Sequence, residues 1–266
     1  MTAIYCCILA LATLVMTSHA WADPATPSNY YQVITDVTHT FVEGFEPEFG
    51  YAVYIHYDGT DVLFDTGATP KTLEHNLRAA AIDPRSIDML VVSHNHPDHI
   101  GGISYMRKSN PAVKVYAPPA QPVDGDPVER VSDVYEISPN LFVLRTHTNV
   151  PTVGISDELS MLIKTAQGPY VLTACSHTGV ATIMAKAATV AGREIFHYTG
   201  GARLKFRGVR DTAKVADELN RLRVSQVSPG HCSIDHAVTK TMRQRFNGRV
   251  ISSALGQKIP LHTPEY

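Results

Sequence analysis

The chain has 266 residues, 44% hydrophobic and 18% charged, with a formal net charge of −2. A balance so close to neutral excludes a protein held on nucleic acid by broad phosphate neutralisation, and no nucleic-acid partner is expected. The length provides for one large core or two small ones, and no repeat of the solenoid kind is found.

Residues 4–16 are apolar and uncharged, and Ser18-His19-Ala20-Trp21-Ala22 precedes Asp23-Pro24. This reads as a secretory leader over residues 1–22 with a small-x-small cleavage site, although no positive charge precedes the run. The run is short for a membrane span, so no stable anchor is expected. The mature chain, one domain over residues 23–266, is expected in the periplasm or outside the cell. Cys6 and Cys7 would leave with the leader, so Cys175 and Cys232 remain.

Tyr30 to Val37 alternates like an edge strand. Residues 51–57 and 61–65 form a predicted hairpin around Asp58-Gly59, and the second strand runs into Asp65-Thr66-Gly67. Thr69-Pro70 opens a helix with Leu73, Leu77, Ala80 and Ala81 as its apolar stripe, ended by Asp83-Pro84. The buried strand Asp88 to Val92 completes a βαβ unit. It delivers the densest stretch of the chain, Ser93-His94-Asn95-His96-Pro97-Asp98-His99, followed by Ile100-Gly101-Gly102.

A helix is predicted over residues 103–108 and a strand over 113–116. The Pro-rich stretch 118–127 then reads as a loop over the mouth of a site or a solvated connection. Residues 134–137 and 141–145 form a second pair, followed by His147 and a polar segment with Pro151 and Gly154. Strands 159–164 and 169–174 turn at Gln167-Gly168, and the second ends in Cys175-Ser176-His177-Thr178-Gly179. A helix follows with Val180, Ile183, Met184 and Ala187 on one face and Gly192 as its stop. Strand 194–198 closes in Gly200-Gly201, and Asp211 is predicted to cap a helix carrying Val215, Leu219 and Leu222. Strand 224–227 ends in Ser228-Pro229-Gly230-His231-Cys232, before a helix over 236–246 and a strand over 249–252.

Neutral imidazole and carboxylate are good ligands for zinc and related divalent ions. His94 and His96, two apart in an extended segment, point the same way and could grip one metal. Asp98 and His99 lie just past Pro97 and could face a second. Two metals roughly 3.5–4 Å apart clamp a displacement reaction. Four strands end alike, in Asp65, His94, His177 and His231, and open α/β sheets place their sites outside such C-terminal ends.

His94-x-His96-x-Asp98-His99, with its flanking strand and glycines, resembles the signature of the metallo-β-lactamase-fold superfamily. The resemblance implies an α/β fold, a four-layered αβ/βα sandwich of two mixed sheets flanked by helices, and a hydrolase with one or two metals. It implies that Asp65 supports the metal loop rather than binding metal. The resulting assignment is His94, His96 and His177 on one ion and Asp98, His99 and His231 on the other, both divalent, zinc first. Asp98 is the catalytic candidate, and His147 is held in reserve should His177 be displaced. His197 reads as packing. Where the superfamily often has a bridging carboxylate, this chain has Cys175, read as a buried thiol, a direct ligand or the disulfide partner of Cys232.

Leu63-Phe64-Asp65-Thr66-Gly67, Asp157-Glu158-Leu159-Ser160, Ala174-Cys175-Ser176-His177-Thr178-Gly179 and Ser228-Pro229-Gly230-His231-Cys232 resemble a narrower group. These are the dihydropterin (β-ribofuranosyl)aminobenzene-phosphate synthase-like proteins. That group carries Gly-Gly-Phe-His-Leu where this chain reads Gly200-Gly201-Ala202-Arg203-Leu204. Arg203, near Lys205, Arg207 and Arg210, could receive an anionic group of a small-molecule substrate, or the basic run is a solvated loop. The reading is a metal-dependent hydrolase that uses metal-bound hydroxide on an ester, lactone or phosphoester. Its rivals are a transferase of the narrower group and a non-catalytic periplasmic metal- or ligand-binding protein.

Overall fold

The structure is a computed structural model that describes residues 28–38, 41–119, 121–125 and 127–264. The expected leader over residues 1–22, with Cys6 and Cys7, lies outside the described residues. The first half of the chain runs β1 (Tyr30–Thr35), β2 (Ala52–Tyr57), β3 (Thr60–Phe64), α1 (Pro70–Ala79), β4 (Met89–Val91), α2 (Pro97–Ile100), α3 (Ile103–Ser109), β5 (Lys114–Ala117) and β6 (Glu129–Arg130). The second runs β7 (Val134–Ser138), β8 (Leu141–Thr152), β9 (Ile155–Thr165), β10 (Gly168–Thr173), α4 (Val180–Ala191), β11 (His197–Gly200), α5 (Leu204–Arg221), β12 (Gln226–Pro229), α6 (His236–Arg245) and β13 (Arg249–Val250). The last strand, β14 (Lys258–Pro260), returns to the first sheet.

Alternation along the strands decides how the layers stack. Leu141, Val143, Leu159, Met161, Ile163, Tyr170 and Leu172 join the first sheet's side chains in one core, while Phe142, Leu144, Leu162 and Val171 point the other way. A strand exposes successive side chains on opposite faces, so this sheet is apolar on both. Its outer face is covered by Val180, Ile183 and Met184 of α4, Val215 and Leu219 of α5, and Val238 and Met242 of α6. Leu73, Leu77, Ile103 and Met106 of α1 and α3 pack against the first sheet's part of the core. The result is two mixed seven-stranded sheets between helical layers, in the orders β14-β1-β2-β3-β4-β5-β6 and β13-β12-β11-β10-β9-β8-β7. Each sheet is antiparallel on one side and parallel on the other. Among the described residues no helix is long and apolar enough to cross a membrane.

The βαβ unit forms as its sequence indicates, with Thr69 Oγ1 accepting the Thr72 N–H at 3.3 Å as the cap of α1. Gly192 adopts the left-handed conformation that stops α4. Four expectations are corrected. First, β1 is no edge strand, because β14 pairs with it opposite β2; a three-residue strand ending in Pro260 leaves little periodic signal. Second, Ala81 is not on the stripe of α1: the helix ends at Ala79 and Ala81 is exposed at φ 56°. Third, the polar segment after His147 is strand, because β8 and β9 continue as a ribbon turned at Val153-Gly154. Fourth, α5 begins at Leu204 and kinks at Gly208, so Asp211 lies inside it rather than at its cap.

His197 packs as expected, buried on β11 and stacked on Tyr170, with Gln226 Nε2 donating to its Nδ1 at 2.5 Å. Burial pulls its pKa down to about 3. The unfolded imidazole titrates near 6.5, so between the two values the unfolded chain binds more protons and stability falls as pH falls. The melting temperature should therefore drop from pH 7 to pH 5, and by less in His197→Gln. Equal drops in thermal melts of both proteins would show that His197 contributes nothing to this dependence.

Candidate metal centre

Because the two sheets face each other, the C-terminal ends of β3, β4, β10 and β12 meet, bringing Asp65, His94, His177 and His231 together from four chain regions. His94, His96 and His177 form one group of convergent donor atoms and Asp98, His99 and His231 a second, each with its atoms within 4.8 Å of one another. The groups touch: the His94 and His99 rings lie 4.1 Å apart. The six predicted ligands are thus brought into one cluster.

Hydrogen bonds show which ring nitrogens are left bare. Ser93 Oγ gives its proton to Asp65 Oδ2 at 2.6 Å, so at 2.8 Å from His94 Nδ1 it accepts, which leaves His94 Nε2 without a proton. His96 Nε2 donates to the Val153 carbonyl at 3.1 Å and His177 Nδ1 to the Thr152 carbonyl at 3.0 Å. His99 Nδ1 donates to Asp65 Oδ2 at 2.8 Å, turning Nε2 toward Asp98 Oδ2 at 3.4 Å. Both ring nitrogens of His231 are buried without a hydrogen bond, Nε2 lying 3.3 Å from Asp98 Oδ2. The bare Nε2 of His94 and Nδ1 of His96 are only 3.0 Å apart. Two lone pairs so placed repel unless they share a cation, so this donor set fits metal ions.

The charges agree. Burial and the neighbouring His99 hold His94 well below the usual imidazole range, and burial with Arg203 brings His177 down to about 3. Burial opposes ionisation of Asp98, but His231 and His99 hold its carboxyl well below the usual carboxylate range. Burial also opposes charge on His99, yet Asp65 and Asp98 push it up to about 10. The carboxylates that draw a proton there would draw a metal ion equally.

One buried carboxylate stands behind each loop. Asp65 accepts from Ser93 N at 2.7 Å as well as from Ser93 Oγ and His99. Glu158 on β9 accepts from the amides of Cys175, Ser176 and His177 at 3.0, 2.8 and 2.5 Å. Asp36, just past β1, accepts from His231 N at 3.0 Å. Burial raises both Glu158 and Asp36 to about 7, against the pull of these amides. Asp65, Ser176, Arg203 and His231 all take positive φ, between 47° and 61°, a conformation that non-glycine residues hold only when their surroundings enforce it. Gly101 is required for a different reason: a Cβ there would come within 1.9 Å of the Ala68 carbonyl, where the Asp65 turn and the histidine loop interlock.

Sequence reasoning found Asp65 but gave no role to Glu158 or Asp36. Their available signals were a charged residue opening an apolar strand and a second carboxylate ending one. It also missed the β8–β9 ribbon, whose Thr152 and Val153 carbonyls orient His177 and His96. His147 takes no part in the cluster: it is half-exposed, beside Asp157 and Asn149. Within the Pro-rich stretch, Gln121 packs behind the histidine loop, where it accepts from Asn95 N at 2.6 Å and donates to the Asp157 carbonyl. Of the basic run, Lys205, Arg207 and Arg210 are exposed, and only Arg203 reaches the site, with Nη1 3.5 Å from the His177 ring nitrogens. Cys175 and Cys232 are buried free thiols with sulfurs 3.5 Å apart. A cavity of about 360 Å³ opens over the cluster between Phe49, Asp98, Val153, Arg203 and Phe206. A larger hollow of about 690 Å³ by Asn29, Lys164, Arg193 and His262 holds none of these groups.

Residues 45–231 match the profile of the metallo-beta-lactamase superfamily. The chain belongs to that superfamily. It is 24% identical over 220 residues to the 7,8-dihydropterin-6-methyl-4-(beta-D-ribofuranosyl)-aminobenzene-5'-phosphate synthase of Methanocaldococcus jannaschii, covering 65% of this chain and 75% of that one. Among solved structures, a metal-dependent hydrolase of the beta-lactamase superfamily superposes with TM-score 0.70 at 22% identity, covering 88% of this chain and 99% of that one. The metallo-beta-lactamase fold protein YhfI from Bacillus subtilis gives 0.60 at 13%, over 88% and 99%. A diphosphatase from the PhnP family gives 0.54 at 17%, over 87% and 96%. These likenesses establish the four-layered fold, and superfamily membership accords with the His, Asp and Cys clusters.

Replacing Asp65 by Asn keeps the shape but removes the acceptor that sets the Ser93 and His99 protons. Metal affinity should fall about 10–100-fold, read by competition with a chromogenic chelator. Unchanged affinity would leave Asp65 a role in folding alone.

Proposed function

We propose that the protein is a hydrolase of small anionic esters, lactones or phosphoesters that works with two divalent ions, zinc first. The observation that carries this reading is the convergence of bare imidazole nitrogens around Asp98 at the floor of an open cavity. His94, His96 and His177 would hold one ion, and Asp98, His99 and His231 the other; a nitrogen-rich set suits zinc. When bound, such ions lower the pKa of water toward about 7 and polarise a carbonyl or phosphoryl oxygen.

The chain's own residues supply the rest. Asp98 turns Oδ2 to His99 and His231, and its side chain keeps about a fifth of its surface exposed. That leaves Oδ1 to orient the attacking water, take its proton and return it to the leaving group. Arg203 lines the cavity with an unpartnered Nε, and its guanidinium lies 5.9 Å from the Phe206 ring. It offers a fork for a phosphate or carboxylate, while Phe49 and Phe206 form apolar walls for the remainder of a small molecule. The apolar run of residues 4–16 before Ala20-Trp21-Ala22, read as a leader, would place this chemistry in the periplasm or outside the cell.

The similarity to the methanocaldococcal enzyme favours a second reading, a synthase acting on an aminobenzene phosphate. Elemental analysis with a screen of chromogenic phosphodiester, lactone and β-lactam substrates separates the two. The hydrolase reading expects close to two metals per chain and turnover abolished by chelator. Asp98→Asn should lower kcat by about 10²–10⁴-fold, and Arg203→Ala should mainly raise KM. Bound metal without hydrolysis of any substrate class would favour the synthase or a non-catalytic binding protein, and a chain that binds no metal would overturn the hydrolase reading and the metal centre with it.

A further inference from the structure

The rim of the cavity over the cluster is apolar and cationic at once. Eight large apolar side chains are exposed among the described residues, and three of them, Phe49, Val153 and Phe206, line this one opening. Two more stand just beyond it: Val150 on the same ribbon as Val153, and Val209 three residues past Phe206. The five are 44% to 78% exposed and sit on three separate tips, the loop before β2, the turn of the β8–β9 ribbon and the first part of α5. A helix on a globular protein ordinarily buries one face. In α5, however, six consecutive residues, 205–210, are exposed between the buried Leu204 and Thr212, with the kink at Gly208 among them. Lys205, Arg207 and Arg210 alternate there with Phe206 and Val209. None of the three cations is ion-paired among the described residues, the neighbouring Asp211 being taken by Lys214 at 3.3 Å.

We propose that this rim docks reversibly on an anionic lipid surface, its five apolar side chains entering the interface and Lys205, Arg207 and Arg210 facing lipid phosphates. Charge complementarity and the kind of apolar side chain select the occupant. Cations set beside exposed apolar groups gain both from headgroup phosphates and from the acyl boundary beneath them. Three of the five apolar residues are valines, which have no ring on which a nucleic-acid base could stack. A two-fold contact with a second copy would set the same cationic patch of each chain against the other. A stable protein interface packs about 800 Å² a side into one continuous surface, whereas single side chains on separate tips suit a fluid medium that closes around each. Docked in this way, the chain turns the mouth of its cavity to the headgroup layer. Such docking depends on none of the groups that would hold metal.

The test puts a fluorescent reporter on the rim. Trp21 is the chain's one tryptophan, so with Trp21→Phe and Phe206→Trp in the full chain the emission reports position 206 alone. Lipid contact made only by residues 1–22 leaves it unshifted. Vesicles of phosphatidylglycerol mixed with phosphatidylcholine should move the emission to shorter wavelength, vesicles of phosphatidylcholine alone should not, and raised salt should reverse the shift. Adding Lys205→Gln, Arg207→Gln and Arg210→Gln should weaken binding roughly a hundredfold, and adding Val150→Ser with Val209→Ser about tenfold. Lys114→Gln, Arg193→Gln and Arg249→Gln remove the same charge from exposed positions at the opposite ends of β5, β11 and β13, and should leave binding nearly unchanged. Circular dichroism checks the fold of each variant. No shift with the anionic vesicles would overturn the proposal. Equal losses in the two triple variants would overturn it too, by reducing the attraction to overall charge, and so would binding indifferent to the two serine changes. Should the reporter variant not fold, co-sedimentation with the same vesicles of the unaltered chain against the Lys205, Arg207 and Arg210 variant decides.

Discussion

The site depends on a buried carboxylate that has no contact with solvent. Asp65 accepts three hydrogen bonds, from Ser93 N, Ser93 Oγ and His99 Nδ1, and through Ser93 it also sets the proton on His94. Burying a carboxylate without such partners costs several kcal/mol, so the turn after β3 is stable only when the histidine loop closes onto it. Closing the loop is what leaves the inner nitrogen of His94 bare and turns that of His99 toward Asp98. Folding and the preparation of a metal site are here one event.

The same device recurs across the sheet interface. Glu158 gathers three amides of the Cys175–His177 loop, and Asp36 holds the amide of His231 from the opposite sheet. Each loop is pulled into a left-handed bend that its own residue type would avoid. The strain is offset by hydrogen bonds to groups that lie far off in sequence. The β8–β9 ribbon completes the frame by giving two backbone carbonyls to His96 and His177. Its β8 side is largely exposed, while Ile155 and Asp157 anchor its β9 side.

Superfamily membership settles the scaffold and leaves the substrate to the residues at the mouth. There the residues of this chain are distinctive in type. An arginine enters the left-handed bend after Gly200-Gly201, two aromatic rings wall the cavity, and a thiol pair lies beneath. These features place a guanidinium and two thiols beside a cluster of imidazoles and one carboxylate.

The local sequence carried much of this molecule. The run Asp88 to Val92 before Ser93-His94-Asn95-His96, the Thr69-Pro70 cap and the Gly192 stop are short-range signals, written where they act. So are the four strand-end motifs, because a strand followed by a bend has to place its next side chain at the sheet's C-terminal edge. What the sequence could not display is pairing across distance. Nothing near Asp36 announces that it will hold His231, 195 residues away, and nothing in the polar stretch from His147 to Gly154 marks a ribbon with no buried face to impose alternation. By itself, then, the sequence determined which side chains are the candidates for the site and which strand ends present them. Only the tertiary structure decided which way each imidazole turns and which carboxylate holds each loop, because those follow from hydrogen bonds that exist only once the two sheets have met.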